Sequence, residues 1–599
     1  MTNLIKSKSF AVVIVIIVSI AVNLNTLWNE FVYDDIDQVL NNIWIKDFRN
    51  IPAIFFSPTW SFLTELKEFP QNYYRPLMHI VYMFNYYLFG LKPWGWHLVN
   101  IIFHTGVTVM VFLVAERLFD LYPSPSPSPH PHPIPPPVRG RGLKGGGEGW
   151  GEGAAFISAI LFAVHPIHTE VTAWVAAIPE MGFTLFFLLA FYMYMKDYRI
   201  LPLVFFFISA LFKETALTLP LLLIAYDYIA KIPPYPPLLK GGLRGDLIKK
   251  YLPYFILTGI YITLRLYIMG GVAPLKRHAV LTAYEYIINI FPLFTQYLYK
   301  LILPINLNVF YVFHPIHSIL EWKGLIGITV TVAFVTAIYL LRNKNRLVSF
   351  CLLLIILPLL PVLYIPALGE NTFAERYLYL PSFGFVMLVS TGIMTLNRIK
   401  TIDQKIMGWV IIGLTVIVTG LYSTGTVMRN YVWKNGYNLW TDTVGKSPDG
   451  YIPHNNLADA YFDKGMVDNA IKHYQMALKI KPNSPPIHNN LALAYHSIGR
   501  MDAALFHLYI AVRMKPNSPQ IHDSLGLVYN SMGRIDEAIK HLETALSIRP
   551  SYDEEHKNTG DAYYAKGEID KAIEHYKIAI RLRPDYQEAK EKLEKAMAR

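Results

Sequence analysis

Long stretches of apolar side chains separated by short polar connections fill the first three quarters of the chain, and a shorter, strictly repeated pattern takes over near residue 448. A helix that crosses a bilayer needs about 20 mostly apolar residues, because its backbone polar groups must be satisfied within the segment itself. Such runs lie near 9–27, 96–118, 154–172, 179–195, 200–216, 218–230, 251–269, 324–341, 348–366, 377–396 and 407–426, which predicts eleven passes. Residues 76–90 and 285–303 are also apolar, but Asn, Pro or Gln interrupts them, so they read as interfacial or re-entrant pieces.

Beyond this body the pattern repeats at a fixed interval. Pro448, Pro482, Pro516, Pro550 and Pro584 fall 34 residues apart. The same interval links Gly465, Gly499, Gly533 and Gly567, then Tyr461, Tyr495, Tyr529 and Tyr563, and the alanines from Ala470 and from Ala477 onward. Thirty-four residues is the tetratricopeptide period, a helix–turn–helix in which Ala lets the paired helices approach, Gly makes the turn and Pro starts the next unit. Four repeats are enough for a continuous core. The predicted fold is therefore all-α. A polytopic membrane helical bundle occupies 1–430, and a tetratricopeptide-repeat α-solenoid of four repeats occupies 448–599. Such an array implies a right-handed superhelix whose concave face binds an extended peptide or partner protein, a plain spacer being the other reading. The His and Asp residues of the repeats read as ordinary helix-face positions without catalytic chemistry.

Composition sharpens this division. Of 599 residues, 53% are apolar and 16% charged, with a mean hydropathy of +0.30. An ordinary globular chain carries about 25% charged residues, so a purely soluble protein is excluded. The net charge of +11 invites a nucleic-acid reading, but from Pro448 onward 20 basic residues match 20 acidic ones. All of the excess thus lies in the apolar body, as expected for basic cytoplasmic loops. Lys6, Lys8, Lys196, Arg199, Lys249, Lys250, Arg342, Lys344, Arg346, Arg398, Lys400 and Lys405 fall on one side when eleven passes alternate. That places the N-terminus in the cytoplasm and the repeats outside, in an integral membrane protein of a bacterial inner membrane or its equivalent. The first run can also be read as a cleaved signal segment, with Ser19-Ile20-Ala21 at its end, which leaves the first loop on the same side. Residues 122–153 and 232–246 are low-complexity insertions, each a Pro-rich half followed by a Leu-Lys-Gly-Gly half, and are expected to be flexible. Cys351 is the single cysteine, which excludes an internal disulfide or a Cys-based zinc site.

Titratable residues concentrate at the ends of passes on the outer side. Asp34 and Asp35 follow the first pass, and two adjacent carboxylates can act as base and acceptor or bind a divalent cation. Arg75, His79, His97 and Asn100 come next, then His165, His168 and Glu170. Lys213 and Glu214 interrupt an apolar stretch, and Glu375-Arg376-Tyr377 opens the tenth pass. Charge at such depth is costly, which makes these residues functional candidates. His165 and His168, at i and i+3, share a helix face and could share a metal or simply pack. Lys213 and Glu214 could be a structural ion pair, while Arg75, Arg265 and Arg376 could extend toward lipid headgroups.

The order of these motifs adds a family. Asp34-Asp35, Tyr74-Arg75-Pro76, LFAVHPIHTEVTAWVA at 161–176, LFKETALTLPLLLIAYD at 211–227 and AERYLYLPSFGF at 374–385, followed by the repeats, resemble the transmembrane and tetratricopeptide-repeat O-mannosyltransferases and their bacterial relatives. These are protein O-mannosyltransferase-like members of the GT-C superfamily. The resemblance implies transfer of a sugar, mannose by preference, from a polyprenyl-phosphate carrier to a Ser or Thr hydroxyl of a protein. It implies Asp34 as the general base and Asp35 as acceptor-orienting or cation-holding. It further implies Arg265, Arg376 and Lys213 at the donor phosphate, and Arg75, His97, His165, His168, Glu170, Glu214, Glu375 and Tyr377 around the substrates. The scheme names no definite cofactor and leaves a divalent cation open. Two other readings stay open at this point: a membrane-anchored repeat adaptor without catalysis, and a lipid or polysaccharide transporter.

Overall fold

The computed structural model describes residues 8–63, 73–121, 150–230, 243–271, 281–365, 371–396 and 403–598, and these contain helices and turns but no strand. They form two compact units, one reaching to Asn438 and one starting at Leu439. Residues 122–149 and 231–242, most of both low-complexity insertions, lie outside the described residues. The last four residues of each insertion are helical, because α4 (Trp150–Val164) and α9 (Leu243–Met269) begin there.

Seven described helices are long and apolar enough to cross a membrane: Lys8–Trp28, Pro93–Leu121, Val175–Met195, Lys249–Met269, Trp322–Lys344, Arg346–Leu363 and Lys405–Val432. An eighth candidate is the pair Gly151–Val164 and Pro166–Ala173, bent by 49°. The bend has a local cause. Pro166 lacks an N–H and disfavours helix at His165 before it, so α4 stops at Val164 and α5 (Thr169–Ala173) restarts after a single 3₁₀ turn.

The other three expected passes are helices too, but short ones. They are α7 (Leu201–Phe212), α8 (Leu219–Ala230) and α13 (Pro381–Thr395). Twelve residues at 1.5 Å each give about 18 Å, well under the roughly 30 Å hydrocarbon core. α7 and α8 are nonetheless two separate strokes. Lys213, just past α7, pairs with Glu180 at the start of α6 (Ile178–Met195), whereas Asp227 near the end of α8 accepts from Tyr194 at the far end of α6. The chain therefore climbs along α6 and turns back within Lys213–Thr218. Hydropathy separates these two runs near residue 217 but expects each of them to cross, which neither helix is long enough to do.

Small residues let the helices of the body approach closely. A Cβ on Gly182 of α6 would lie 2.4 Å from the Phe212 ring, and one on Gly384 of α13 would lie 2.5 Å from the Cys351 carbonyl oxygen. Membrane helices pack this way because dispersion contact, rather than water exclusion, holds them together. Of the spans, Val175–Met195 has 78% of its apolar window buried, against 11% for Lys249–Met269 and Trp322–Lys344, so the former lies in the core of the unit and the latter two present apolar surface at its periphery.

The second unit is a stack of helix pairs: Tyr451–Asp463 with Val467–Ile480, Pro485–Ser497 with Met501–Met514, Pro519–Ser531 with Ile535–Ile548, and Asp553–Lys566 with Ile569–Leu582. Gln587–Met597 follows them. Gly465, Gly499, Gly533 and Gly567 turn each pair at φ between 72° and 87°, a conformation that other residues adopt only at a cost. Ala470, Ala504, Ala538 and Ala572, with Ala477, Ala511, Ala545 and Ala579, are fully buried at the helix contacts.

Candidate active site

One end of the membrane body gathers most of the candidate residues. After α1 (Lys8–Asn23) and a 3₁₀ turn, the chain reaches Tyr33, whose φ of 56° is unusual for a non-glycine residue. The Tyr33 ring stacks on Trp174 at 5.7 Å, and the two aspartates that follow point to different places. Asp35 is fully buried. Its Oδ1 accepts from the Ala176 N–H at 2.8 Å and its Oδ2 from the Val32 N–H at 3.1 Å, so it ties the first loop to the turn before α6. Asp34 is partly exposed and lines a cavity of about 80 Å³ together with Arg75, Trp174, Glu180, Arg376 and Tyr377. Burial raises the Asp34 carboxyl to about 7, with nearby Arg376 pulling the other way; burial also raises Asp35, to about 8.

The cations of this cavity are held from behind. Arg376 donates its backbone N–H to Glu170 Oε2 at 2.9 Å and pairs through its guanidinium with Glu170 Oε1. The Glu170 side chain is 1% exposed and that of Arg376 22%, so the guanidinium reaches the cavity from a buried anchor. Its Cζ lies 5.4 Å from the Trp174 ring and 5.0 Å from that of Tyr377. Arg75 precedes Pro76, the first residue of α2 (Pro76–Phe89), and its N–H donates to Thr59 Oγ1 at 3.1 Å. Its guanidinium lies 3.6 Å from Glu214 and 4.4 Å from the Tyr73 ring centroid. Behind α2's start, His79 is buried between the Thr59 carbonyl at 2.9 Å and Asn42 Nδ2 at 3.2 Å, which fixes the fold of the first loop.

The remaining candidates sort by distance from this cavity. Lys213 pairs with Glu180 and lies 4.6 Å over the Tyr377 ring, so it supports the wall without lining the space. Glu214 stands behind Arg75, and the charge of Arg265 acts on Glu214; neither residue is part of the lining. His97 is buried at the start of α3 (Pro93–Leu121), near the backbone of Asn29 and Glu30. Glu375, fully buried and raised to about 7 by burial, accepts from the Asn308 N–H and the Tyr311 hydroxyl, each at 2.5 Å.

His165 and His168 are packed side chains. His165 Nδ1 accepts from the Ile167 N–H and its Nε2 meets the Leu301 carbonyl, both at 3.2 Å. His168 Nε2 bonds Ser382 Oγ at 2.8 Å. Among the described residues no three His, Cys, Asp or Glu side chains are grouped so as to hold a metal. Glu180, Tyr73 and Thr59 line the cavity although their sequence positions do not single them out. For Glu180 a signal exists, an acid in the first turn of an otherwise apolar span.

Fold and site together describe a polytopic helical membrane protein with a cavity lined by carboxylate and guanidinium groups at one end of its apolar body, followed in sequence by a tetratricopeptide-repeat array. Comparison with known proteins agrees with that class. Two tetratricopeptide-repeat families match, over residues 458–499 and 518–585. The human protein O-mannosyl-transferase TMTC3 is 24% identical over 508 residues, covering 77% of this chain and 50% of that protein. The Caenorhabditis elegans protein O-mannosyl-transferase F38B6.6 is 26% identical, covering 78% and 62%, and human TMTC1 is 25% identical, covering 76% and 53%. The chain is similar to these proteins over about three quarters of its own length and spans between half and two thirds of theirs. Among solved structures, a thermophilic tetratricopeptide protein of Thermus thermophilus aligns at 22% identity with a TM-score of 0.26, over 30% of this chain and 95% of its own.

Proposed function

We propose that the chain is a membrane glycosyltransferase that moves a sugar, mannose by preference, from a polyprenyl phosphate to a Ser or Thr hydroxyl of a protein on the extracytoplasmic side. The observation that carries this reading is the cavity in which Asp34, Arg75 and Arg376 meet at one end of the apolar helices. A donor with a lipid tail must keep that tail in hydrocarbon while its phosphate sits at the membrane surface, so reacting groups belong at helix ends. The names of the similar proteins support transfer to protein, and the basic connections support the assigned side.

In this reading the acceptor oxygen attacks the anomeric carbon, and the carbon–phosphate oxygen bond breaks with its electron pair staying on the phosphate. Asp34 takes the hydroxyl proton, and a carboxyl held near 7 suits a base working near neutral pH. The leaving phosphate needs no acid because it departs ionised; it needs positive charge where negative charge grows. Arg376 and Arg75 supply it from the cavity wall, while Lys213 and Arg265 act one contact behind through Glu180 and Glu214. Asp35 positions Asp34 by pinning the loop to Ala176. The repeats recruit or present the protein acceptor.

The test is turnover by purified full-length protein. Polyprenyl-phosphate mannose and its glucose counterpart are incubated with Ser/Thr peptides, with and without chelator, and carrier release is followed. Release dependent on both peptide and Asp34 supports the reading. Full biological function in an Asp34→Asn variant, lost only when 448–599 is removed, would favour a repeat adaptor instead.

A further inference from the structure

Two polar side chains of the cavity wall touch neither the proton nor the phosphate of the proposed transfer. Gln38 stands one turn after Asp34, and its backbone N–H donates to the Asp34 carbonyl at 2.8 Å. Its side-chain Oε1 accepts from the Tyr82 hydroxyl at 3.2 Å, and the same hydroxyl reaches the Val175 carbonyl at 3.3 Å. Tyr82 is fully buried, so the amide is oriented by a fixed donor behind it. Gln38 is itself only 6% exposed and lines the cavity, and its Nε2 meets no acceptor among the described residues, so the amide N–H groups open on that space. Glu180, in the first turn of α6, is arranged in the same way. Lys213 takes its Oε1 from behind, and the second oxygen of a side chain 5% exposed is left to the cavity that Glu180 lines.

Building on the transfer reading above, we propose that Gln38 and Glu180 read the hydroxyl groups of the donor's sugar and select a single neutral, fully hydroxylated ring. An amide donates to a hydroxyl oxygen and a carboxylate accepts a hydroxyl hydrogen, so the two together match a polyol. Each is held from behind by a buried partner, which fixes its direction before the sugar arrives. A ring that lacks the matching hydroxyl leaves one of these groups desolvated and unpaired, and rejection of such an analogue is stronger than the gain from the bond itself. A uronate would set its own carboxylate against Glu180, which excludes acidic sugars. The space, about 80 Å³, takes no more than one ring, so an oligosaccharide donor does not fit. Tyr82 is a positioning residue in this arrangement, acting only through Gln38.

The experiment measures kcat/KM of the purified full-length protein for polyprenyl-phosphate mannose and its 2-, 3-, 4- and 6-deoxy forms. Gln38→Leu should lower kcat/KM for the mannose donor about threefold to tenfold, as loss of one neutral hydrogen bond does, while Tyr82 keeps the Val175 carbonyl and the fold is retained. One of the four deoxy donors should then lose its penalty: slower than the mannose donor in the parent, equal to it in the variant. Tyr82→Phe leaves the amide in place but free to turn, and should blunt the same penalty and no other. Four penalties unchanged in Gln38→Leu would overturn the assignment of Gln38. For Glu180, polyprenyl-phosphate glucuronate is the probe: Glu180→Gln should raise its kcat/KM relative to the mannose donor by about tenfold, and an unchanged ratio would overturn that half. Carrier release by the parent with none of these effects removes this assignment alone; no release from any donor removes the transfer reading together with it.

Discussion

Replacing Asp34 with Asn removes the base of the proposed reaction while changing the volume of the site very little. A positioned general base contributes about 10² to 10⁴ in rate, or roughly 3–5 kcal/mol of barrier. Asp34→Asn should therefore lower kcat by that factor, and its thermal unfolding should stay close to that of the parent, because Asp35 and not Asp34 holds the loop by backbone hydrogen bonds. The pH dependence gives a second, independent readout. The base acts as carboxylate, and its pKa of about 7 lies above the ordinary 3.8. Activity then rises with pH up to about 7 and levels off above it, so that near pH 6 only about a tenth of the base is ionised. A carboxyl at its ordinary value would give full activity there. The donor is a phosphodiester, ionised throughout, and contributes no step in this window. The assay is kcat/KM for carrier release between pH 5 and 8.5, which reports the free enzyme. A flat profile, or an Asp34→Asn variant within tenfold of the parent, refutes Asp34 as the base.

Three further outcomes follow from the same geometry. Asp35→Ala leaves the Ala176 and Val32 N–H groups without their acceptor, at about 1–3 kcal/mol each, so both the unfolding temperature and kcat should fall; unchanged stability would show that the loop is held otherwise. Glu170→Gln releases Arg376 from its buried anchor, a charged hydrogen bond worth about 1.5–3 kcal/mol, and should raise KM for the lipid donor more than KM for the peptide. Ser551→Cys, on an exposed turn between repeats, should react with a membrane-impermeant maleimide added to the extracytoplasmic side of sealed vesicles, whereas fully buried Cys351 stays unlabelled; labelling only after lysis reverses the assigned orientation.

What could be read from residues alone divides by range. The repeat unit is visible because its columns recur every 34 positions and each column has a steric job, down to Gly465 and its equivalents at positive φ. Every apolar run is a helix, but run length hides interruptions. Phe212 and Leu219 are separated by a turn at the level of Glu180, and the runs 200–216 and 218–230 divide close to that turn without showing that the last residues of the first run are not helix. The rings of His165 and His168 do meet, with centroids 5.6 Å apart, but through a 3₁₀ turn, because Pro166 between them ends the helix that their i, i+3 spacing presumes.

Pairing across the chain is what the local pattern does not contain. Lys213 reads as a cation at a helix end, which it is, but its partner Glu180 lies 33 residues away in sequence and holds it behind the cavity wall rather than in the lining. Asp34 and Asp35 read as one unit of two carboxylates. The backbone at Tyr33 turns one toward the cavity and the other toward Ala176, so a single residue step separates the open acid from the structural one. The same limit applies to the repeat histidines, which look like ordinary surface positions in any one helix. Each bonds ring to ring with a partner 19 residues away, as His454 does with His473, on the other helix of the same repeat, and only the recurrence of both columns at the repeat interval marks them as a pair. Chemistry in this protein is thus legible where a residue's partner lies within a turn or a repeat, and is concealed where the partner comes from another pass. That is why the position of the cavity can be anticipated from helix ends while its working charges depend on contacts between distant helices.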